Sequence, residues 1–93
     1  MNAITSLHSN GETLQITDEN GLEFEAKIVA SEQGTTLANF RTGSGRLVAV
    51  TVEDYGDGDV VYSKDGIGGE YEFEDGTTFV VVEDACGLAW ERA

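Results

Sequence analysis

Glycine preceded by asparagine or aspartate punctuates this chain. The pairs are Asn10-Gly11, Asn20-Gly21, Asp65-Gly66 and Asp75-Gly76, with Gly43-Ser44-Gly45 and Gly56-Asp57-Gly58 between them. Glycine takes positive φ at no steric cost, and an Asn or Asp before it suits tight hairpins whose twist matches that of paired strands. Most intervals between these signals run about 8–12 residues, the rhythm of a meander of short antiparallel strands. Proline is absent from the sequence, so nothing blocks a ladder hydrogen bond at any position.

Between the turns, apolar and polar residues alternate. Leu14 and Ile16 are interleaved with Gln15 and Thr17. After Asp18-Glu19-Asn20-Gly21, the residues Leu22, Phe24, Ala26 and Ile28 share one face, with Glu23, Glu25 and Lys27 on the other. That pair of segments is the first predicted hairpin. Residues 46–53 contain Leu-Val-Ala-Val-Thr-Val, apolar on both faces, which predicts a central strand covered on both sides. Glu70, Glu72 and Glu74 alternate with Tyr71 and Phe73 before Asp75-Gly76 turns the chain into residues 77–82. Shorter strands are expected at residues 3–7, 37–41 and 60–63. Residues 84–92 read as a helical turn capped by Asp84, against a cost of about 1 kcal/mol for Gly87 in a helix interior.

These features predict an all-β fold: a single small antiparallel sheet, a meander or a partly closed barrel, with at most one short C-terminal helix. A small α+β domain is the alternative. Neither a repeat nor a linker interrupts residues 1–93, which are expected to form one acidic β-rich domain. Leu22, Phe24, Ile28, Val48, Val50, Phe73, Phe79 and Val81 form the expected core.

Charge is the second constraint. Eighteen acidic and five basic side chains leave a net charge of −13, beyond the magnitude of roughly 2–8 that solubility asks of a small domain. Eleven of the acids fall between residues 53 and 84, where Lys64 is the one base. Disorder is rejected: Leu, Ile, Val and Phe make up about a quarter of the residues, and they are patterned. Nucleic acid and anionic membrane surfaces would repel such a chain and are excluded as direct partners. The longest apolar run, Phe79-Val80-Val81-Val82, is far too short for a membrane span, and no secretory signal is read at the start. Cys86 is the only cysteine, so no intrachain disulfide can form. A cytoplasmic protein is expected, a monomer or homodimer.

No residue pattern announces catalysis. His8 and Cys86 are each alone of their kind, with no nucleophile signature around them. One His and one Cys cannot close a tetrahedral zinc site. The acidic loop at Asp57 and Asp59 fails calcium-loop spacing, because the fifth position is Val61, the sixth is Tyr62 and the twelfth is Gly68. The glycines at 43–45 and 66–69 do not precede a helix and lack the Gly-Lys-Ser/Thr of a phosphate loop. The protein is expected not to be an enzyme and to need no cofactor or metal.

What remains is a charged surface. Side chains at i and i+2 on a strand lie roughly 6.5–7 Å apart, so Glu70, Glu72 and Glu74 are expected to draw a regular line of negative charge. Glu53, Asp54, Asp57, Asp59, Asp75, Glu83 and Asp84 lie at strand ends or turns and extend it, and Tyr55 and Tyr62 flank the Asp57–Asp59 loop as aromatic anchors. Mutual repulsion is expected to raise some of these carboxyl pKa values. Small acidic inhibitors of nucleic-acid machinery, such as phage anti-CRISPR proteins and other DNA mimics, share this physical description, an analogy of type that no motif carries. It implies a phage or mobile-element protein acting in a host cytoplasm on a basic, nucleic-acid-handling protein. The alternative is a non-enzymatic structural or assembly module, a virion component or an immunity or chaperone-like partner, whose acidity serves solubility.

Overall fold

The computed structural model describes residues 2–54, 60–64, 66–84 and 87–93, and among them it forms nine strands and no helix. The strands are β1 (Asn2–Ser9), β2 (Thr13–Asp18), β3 (Glu23–Glu32), β4 (Thr35–Arg41), β5 (Leu47–Asp54), β6 (Val60–Lys64), β7 (Glu70–Glu72), β8 (Thr78–Asp84) and β9 (Gly87–Arg92). The fold is all-β, as the turn spacing predicts. Residues 87–92, read from sequence as a helical turn, are a strand paired antiparallel with β8. Leu88, Ala89 and Trp90 are all covered, which erases the period-two signal that marks other strands.

Each strand from β1 to β6 pairs antiparallel with the next, and β1 returns to β6. The sheet therefore curls back on itself, and its seam is short: Asn2↔Tyr62, Ala3↔Val61 and Ile4↔Val60. β7, β8 and β9 then form a second antiparallel run, joined to β5 by the parallel bridge Leu47↔Gly87.

The two runs enclose two cores. Inside the curl lie Ile4, Leu14, Ile16, Ala26, Ala38, Val48, Val50 and Val52, with Leu7, Phe24, Ile28 and Phe40 packed at the margin. Outside it, Leu37 and Ala49 of β4 and β5 meet Phe73, Phe79, Val81 and Trp90. β5 is shared by both, so residues 48–52 are all buried, the doubly covered strand that its sequence predicts. A bulge in β3 between Ile28 and Ala30 shifts the alternation. Ala26 and Ile28 stay with the inner core while Val29 and Ala30 reach the outer one. Trp90 fixes the outer layer in place: its indole N–H donates to the carbonyl of Val50 at 3.0 Å, and its own N–H donates to Asn39 Oδ1 at 2.9 Å.

Val48, Val50, Phe73, Phe79 and Val81 are buried as expected, and Phe24 and Ile28 are half-buried. Leu22 is not core: it is 59% exposed. The β2–β3 register, Ile16↔Phe24 and Thr17↔Glu23, leaves it one residue before the strand. Its backbone closes the turn instead, with Asp18 N–H donating to its carbonyl and its own N–H donating to Asp18 Oδ1. Asp18, almost fully buried, thus organises that turn.

Gly34 and Gly87 stand where no other residue fits easily. Both have positive φ, 84° and 131°. A Cβ at Gly34 would lie 2.6 Å from the carbonyl oxygen of Asp54, and one at Gly87 would strike the Leu47 carbonyl and the Arg46 side chain. Among the described residues, no helix is long and apolar enough to cross a membrane.

Candidate functional site

In a meander that closes into a ring, successive hairpins point to opposite ends. The β1–β2 and β3–β4 connections and the end of β5 therefore share one end, and the β2–β3 and β4–β5 connections share the other. The turn between β7 and β8 is tied to the first of these ends. Glu74 N–H donates to Glu32 Oε1 at 2.7 Å, and Gln33 Nε2 donates to Glu74 Oε2 at 2.9 Å. The β3–β4 tip also meets the end of β5, where Asp54 N–H donates to the Gly34 carbonyl at 2.7 Å and Glu53 sits opposite Thr35.

Five acidic residues lie at this end: Glu32, Glu53, Asp54, Glu74 and Asp75. Arg92 is the base beside them, lining an open groove of about 330 Å³ with Glu32, Asp75, Thr77 and Phe79. Asp54, Glu74 and Asp75 are exposed, Glu32 and Glu53 half-buried. Asp75 is held below the usual carboxylate range, first by hydrogen bonding from the Thr77 side chain and then from its backbone, with Arg92 adding attraction. The Thr77 N–H lies 2.8 Å from Asp75 Oδ1. Its direction is opposite to the upward shift that repulsion predicts, because the Thr77 hydrogen bonds outweigh the desolvation that opposes them.

The structure divides the expected line of glutamates. Glu70 and Glu72 lie exposed on β7, with Tyr71 directed to the outer core between them. Glu74 is past the strand, turned toward the β3–β4 tip. β7 pairs only with β8 and is an edge strand, where charge discourages pairing with stray strands. Those two glutamates thus have a local reason to be acidic. Tyr71 and Phe73 are packing residues, with ring centroids 5.1 Å apart, and Phe73 stands 5.5 Å from Phe79.

Tyr55, Asp57, Asp59, Asp65 and Cys86, together with the side chains of Tyr62 and Asp84, lie outside the described residues. The expected partner-binding set is therefore brought together in part: Glu53, Glu74 and Asp75 share the acidic end. Sequence reasoning missed Glu32 and Gln33 as its neighbours, while Asp54 was among the residues expected to extend the acidic line. The Gln33-Gly34 pair was the available signal, since it forms a turn with both residues at positive φ, 44° and 84°. Gln lacks the short side chain that makes Asn-Gly and Asp-Gly easy to read as turns.

At the opposite end the chemistry is mixed. Arg41 Nη1 donates to the Gly45 carbonyl at 2.9 Å within the β4–β5 turn, so it caps a loop instead of joining a carboxylate. An open groove of about 610 Å³ runs beside it over β3 and β4, lined by Glu23, Glu25, Lys27, Asn39 and Arg41 among others. The glycine-rich segment before β7 is tied down, with Gly68 N–H donating to Val81 O and Val81 N–H donating to Gly69 O. Among the described residues, no group of three or more His, Cys, Asp and Glu is placed to hold a metal ion. No protein-family model, curated protein or solved structure matches this chain.

Proposed function

We propose that the protein is a non-catalytic acidic inhibitor that binds the basic, nucleic-acid-binding surface of another protein. The observation that carries this reading is the placement of Glu32 at the end of β3, Glu53 and Asp54 at the end of β5, and Glu74 and Asp75 in the β7–β8 turn at one end of the fold, with Arg92 alongside. Like charges so placed repel one another, and a complementary cationic surface relieves that cost. Proteins that hold nucleic acid present Lys and Arg in grooves, and a rigid anionic body competes for such a groove after electrostatically steered encounter. The reading implies a mobile-element or phage origin and a cytoplasmic site of action.

The test replaces Glu53, Asp54 and Glu74 together with Gln, Asn and Gln, which removes three charges and keeps an acceptor oxygen at each position. Glu19, Glu23 and Glu83, all exposed and away from the acidic end, are changed to Gln as a control of equal charge. Basic proteins captured from lysate by the unaltered chain are then titrated with each variant. The acidic-end variant is expected to lose about tenfold in association rate and to show a shallower salt dependence, while the control loses far less. The captured protein's nucleic acid should be displaced by the unaltered chain. Equal small losses from both variants, or simultaneous unhindered binding of nucleic acid, would leave solubility as the reason for the acidity.

A further inference from the structure

Two of the turns carry the same dipeptide, Asn10-Gly11 and Asn20-Gly21. An asparagine followed by glycine is open to attack on its own side chain. The glycine amide nitrogen loses its proton to solvent and bonds to the asparagine Cγ, the Cγ–Nδ2 bond breaks, and the side-chain nitrogen leaves as ammonia. Glycine has no Cβ to hinder that approach. Water then opens the resulting cyclic imide at either carbonyl, leaving an aspartyl or an isoaspartyl residue. One water is consumed and one ammonia released, with no oxidant or reductant. Both asparagines are exposed and both precede glycine, so what distinguishes the two sites is the bonding around them.

The attacking amides are matched. Gly11 N–H donates to Ser9 Oγ at 3.1 Å and Gly21 N–H donates to the Asp18 carbonyl at 3.0 Å, so each must release one hydrogen bond. The carboxamides differ. Asn10 Oδ1 accepts from the N–H groups of Glu12 and Thr13, at 2.9 and 2.8 Å, which fixes the reacting carbon in the hairpin tip. Among the described residues, no hydrogen bond or ion pair holds the Asn20 side chain. Asp18 grips the backbone around it instead: its Oδ1 accepts from Asn20 N–H at 2.9 Å and from Leu22 N–H at 3.0 Å. The turn is held while the carboxamide on it is loose.

We infer that Asn20 is a modification site, where the chain converts spontaneously to an aspartyl or isoaspartyl form while Asn10 is spared. The inference stands apart from the proposed function. Its consequence runs through Asp18, which is almost fully buried. The isoaspartyl product routes the main chain through the former side chain and adds one methylene between the amides of residues 20 and 22. Those two donors converge on a single Asp18 oxygen, and the inserted carbon pulls them apart. A buried carboxylate that loses a donor is costly, so the isoaspartyl form has a weakened β2–β3 turn. The aspartyl form keeps the backbone path and only adds a charge.

The test incubates the intact chain at mildly alkaline pH, folded and in denaturant, and follows deamidation by mass spectrometry. Cleavage after Glu12 and Glu19 places the two asparagines on separate peptides. In the folded chain Asn20 is expected to react about tenfold faster than Asn10, because two further hydrogen bonds must break at Asn10. In denaturant the two rates should converge. Equal rates in the folded chain, including no reaction at either site, overturn the inference, and so does faster reaction at Asn10. A bias that persists in denaturant overturns it too, since the structure then plays no part. Asn20→Gln should remove the faster reaction and leave the Asn10 rate unchanged. The separated products are then melted at pH 7. The isoaspartyl form should have the lower Tm, with Asn20→Asp, which reproduces the aspartyl product, close to the parent. An isoaspartyl form that melts with the parent would overturn the role given to Asp18.

Discussion

The curled sheet of β1–β6 and the three-stranded layer of β7–β9 are made from the same kind of hairpin, yet they hold together by different means. The inner core is filled by Ala26, Ala38, Val48, Val50 and Val52 with Ile and Leu between them, small or β-branched side chains that suit the confined interior of a closed sheet. The outer core depends on three aromatic residues, Phe73, Phe79 and Trp90, laid over Leu37 and Ala49. Antiparallel ladders knit the inner run around its whole circuit, whereas the outer layer reaches β5 through one bridge and the Trp90 hydrogen bond. A sheet closed on itself needs little help from side chains to fix its register. An open layer depends on large anchors to be held at all.

The largest expected effect tests whether the layer is an accessory or part of one cooperative unit. Phe79 is buried between Phe73 and the β4–β5 wall. Phe79→Ala should cost about 3–5 kcal/mol, a large share of a small domain's stability. Ile16→Ala in the inner core should cost about 2–5 kcal/mol. In denaturant melts both variants should give coincident transitions by circular dichroism and Trp90 fluorescence. A loss below 1 kcal/mol for Phe79→Ala, or a fluorescence change well before the loss of strand signal, would mean that the layer detaches from an independent barrel.

A smaller change sharpens the comparison at the junction itself. Gly87 combines positive φ with a close approach to Leu47, where β9 meets β5. Gly87→Ala costs roughly 1–2 kcal/mol from the backbone alone, and displacement of the strand adds to it. The effect is expected to be directional: Trp90 becomes more exposed and its emission shifts to the red, while amide protection in β1–β4 is retained. Uniform loss of protection through both regions would place the bridge at the centre of the fold instead of at its margin.

How much of this was legible follows the same division. The β2–β3 hairpin, the doubly covered β5 and the β7–β8 turn were readable because alternation and Asn-Gly or Asp-Gly signals coincide there. Leu22 misled because its parity matches Phe24, and parity says nothing about where a strand begins. β9 was obscured because it is wedged between β8 and the β4–β5 wall, so its apolar residues run consecutively. The acidic end was half legible. Sequence gives the number of carboxylates, but the meeting of Glu32 with Glu74, 42 residues apart, depends on how the outer layer folds over the ring. No local pattern carries that information.

The smallest effect concerns the contact where the two regions touch at the acidic end. Asp75 lies in the β7–β8 turn, and its carboxyl is held below the usual carboxylate range by Thr77 and, more weakly, by Arg92. A group whose pKa is lower in the folded than in the unfolded chain stabilises the fold above its unfolded pKa. That contribution fades as pH falls toward the folded pKa and is gone below it. Asp75→Asn should therefore lower the Tm slightly at pH 7, and the difference should close in acid, below the ordinary aspartate range near 4. Because the side chain is exposed, salt should also narrow the difference at pH 7 by screening Arg92, although the Thr77 hydrogen bonds remain. A Tm difference that persists unchanged at pH 2 would show that the turn depends on the shape of the Asp75 side chain and not on its charge. A variant more stable than the parent at pH 7 would show that the Asp75 charge costs the fold more than the Thr77 hydrogen bonds return.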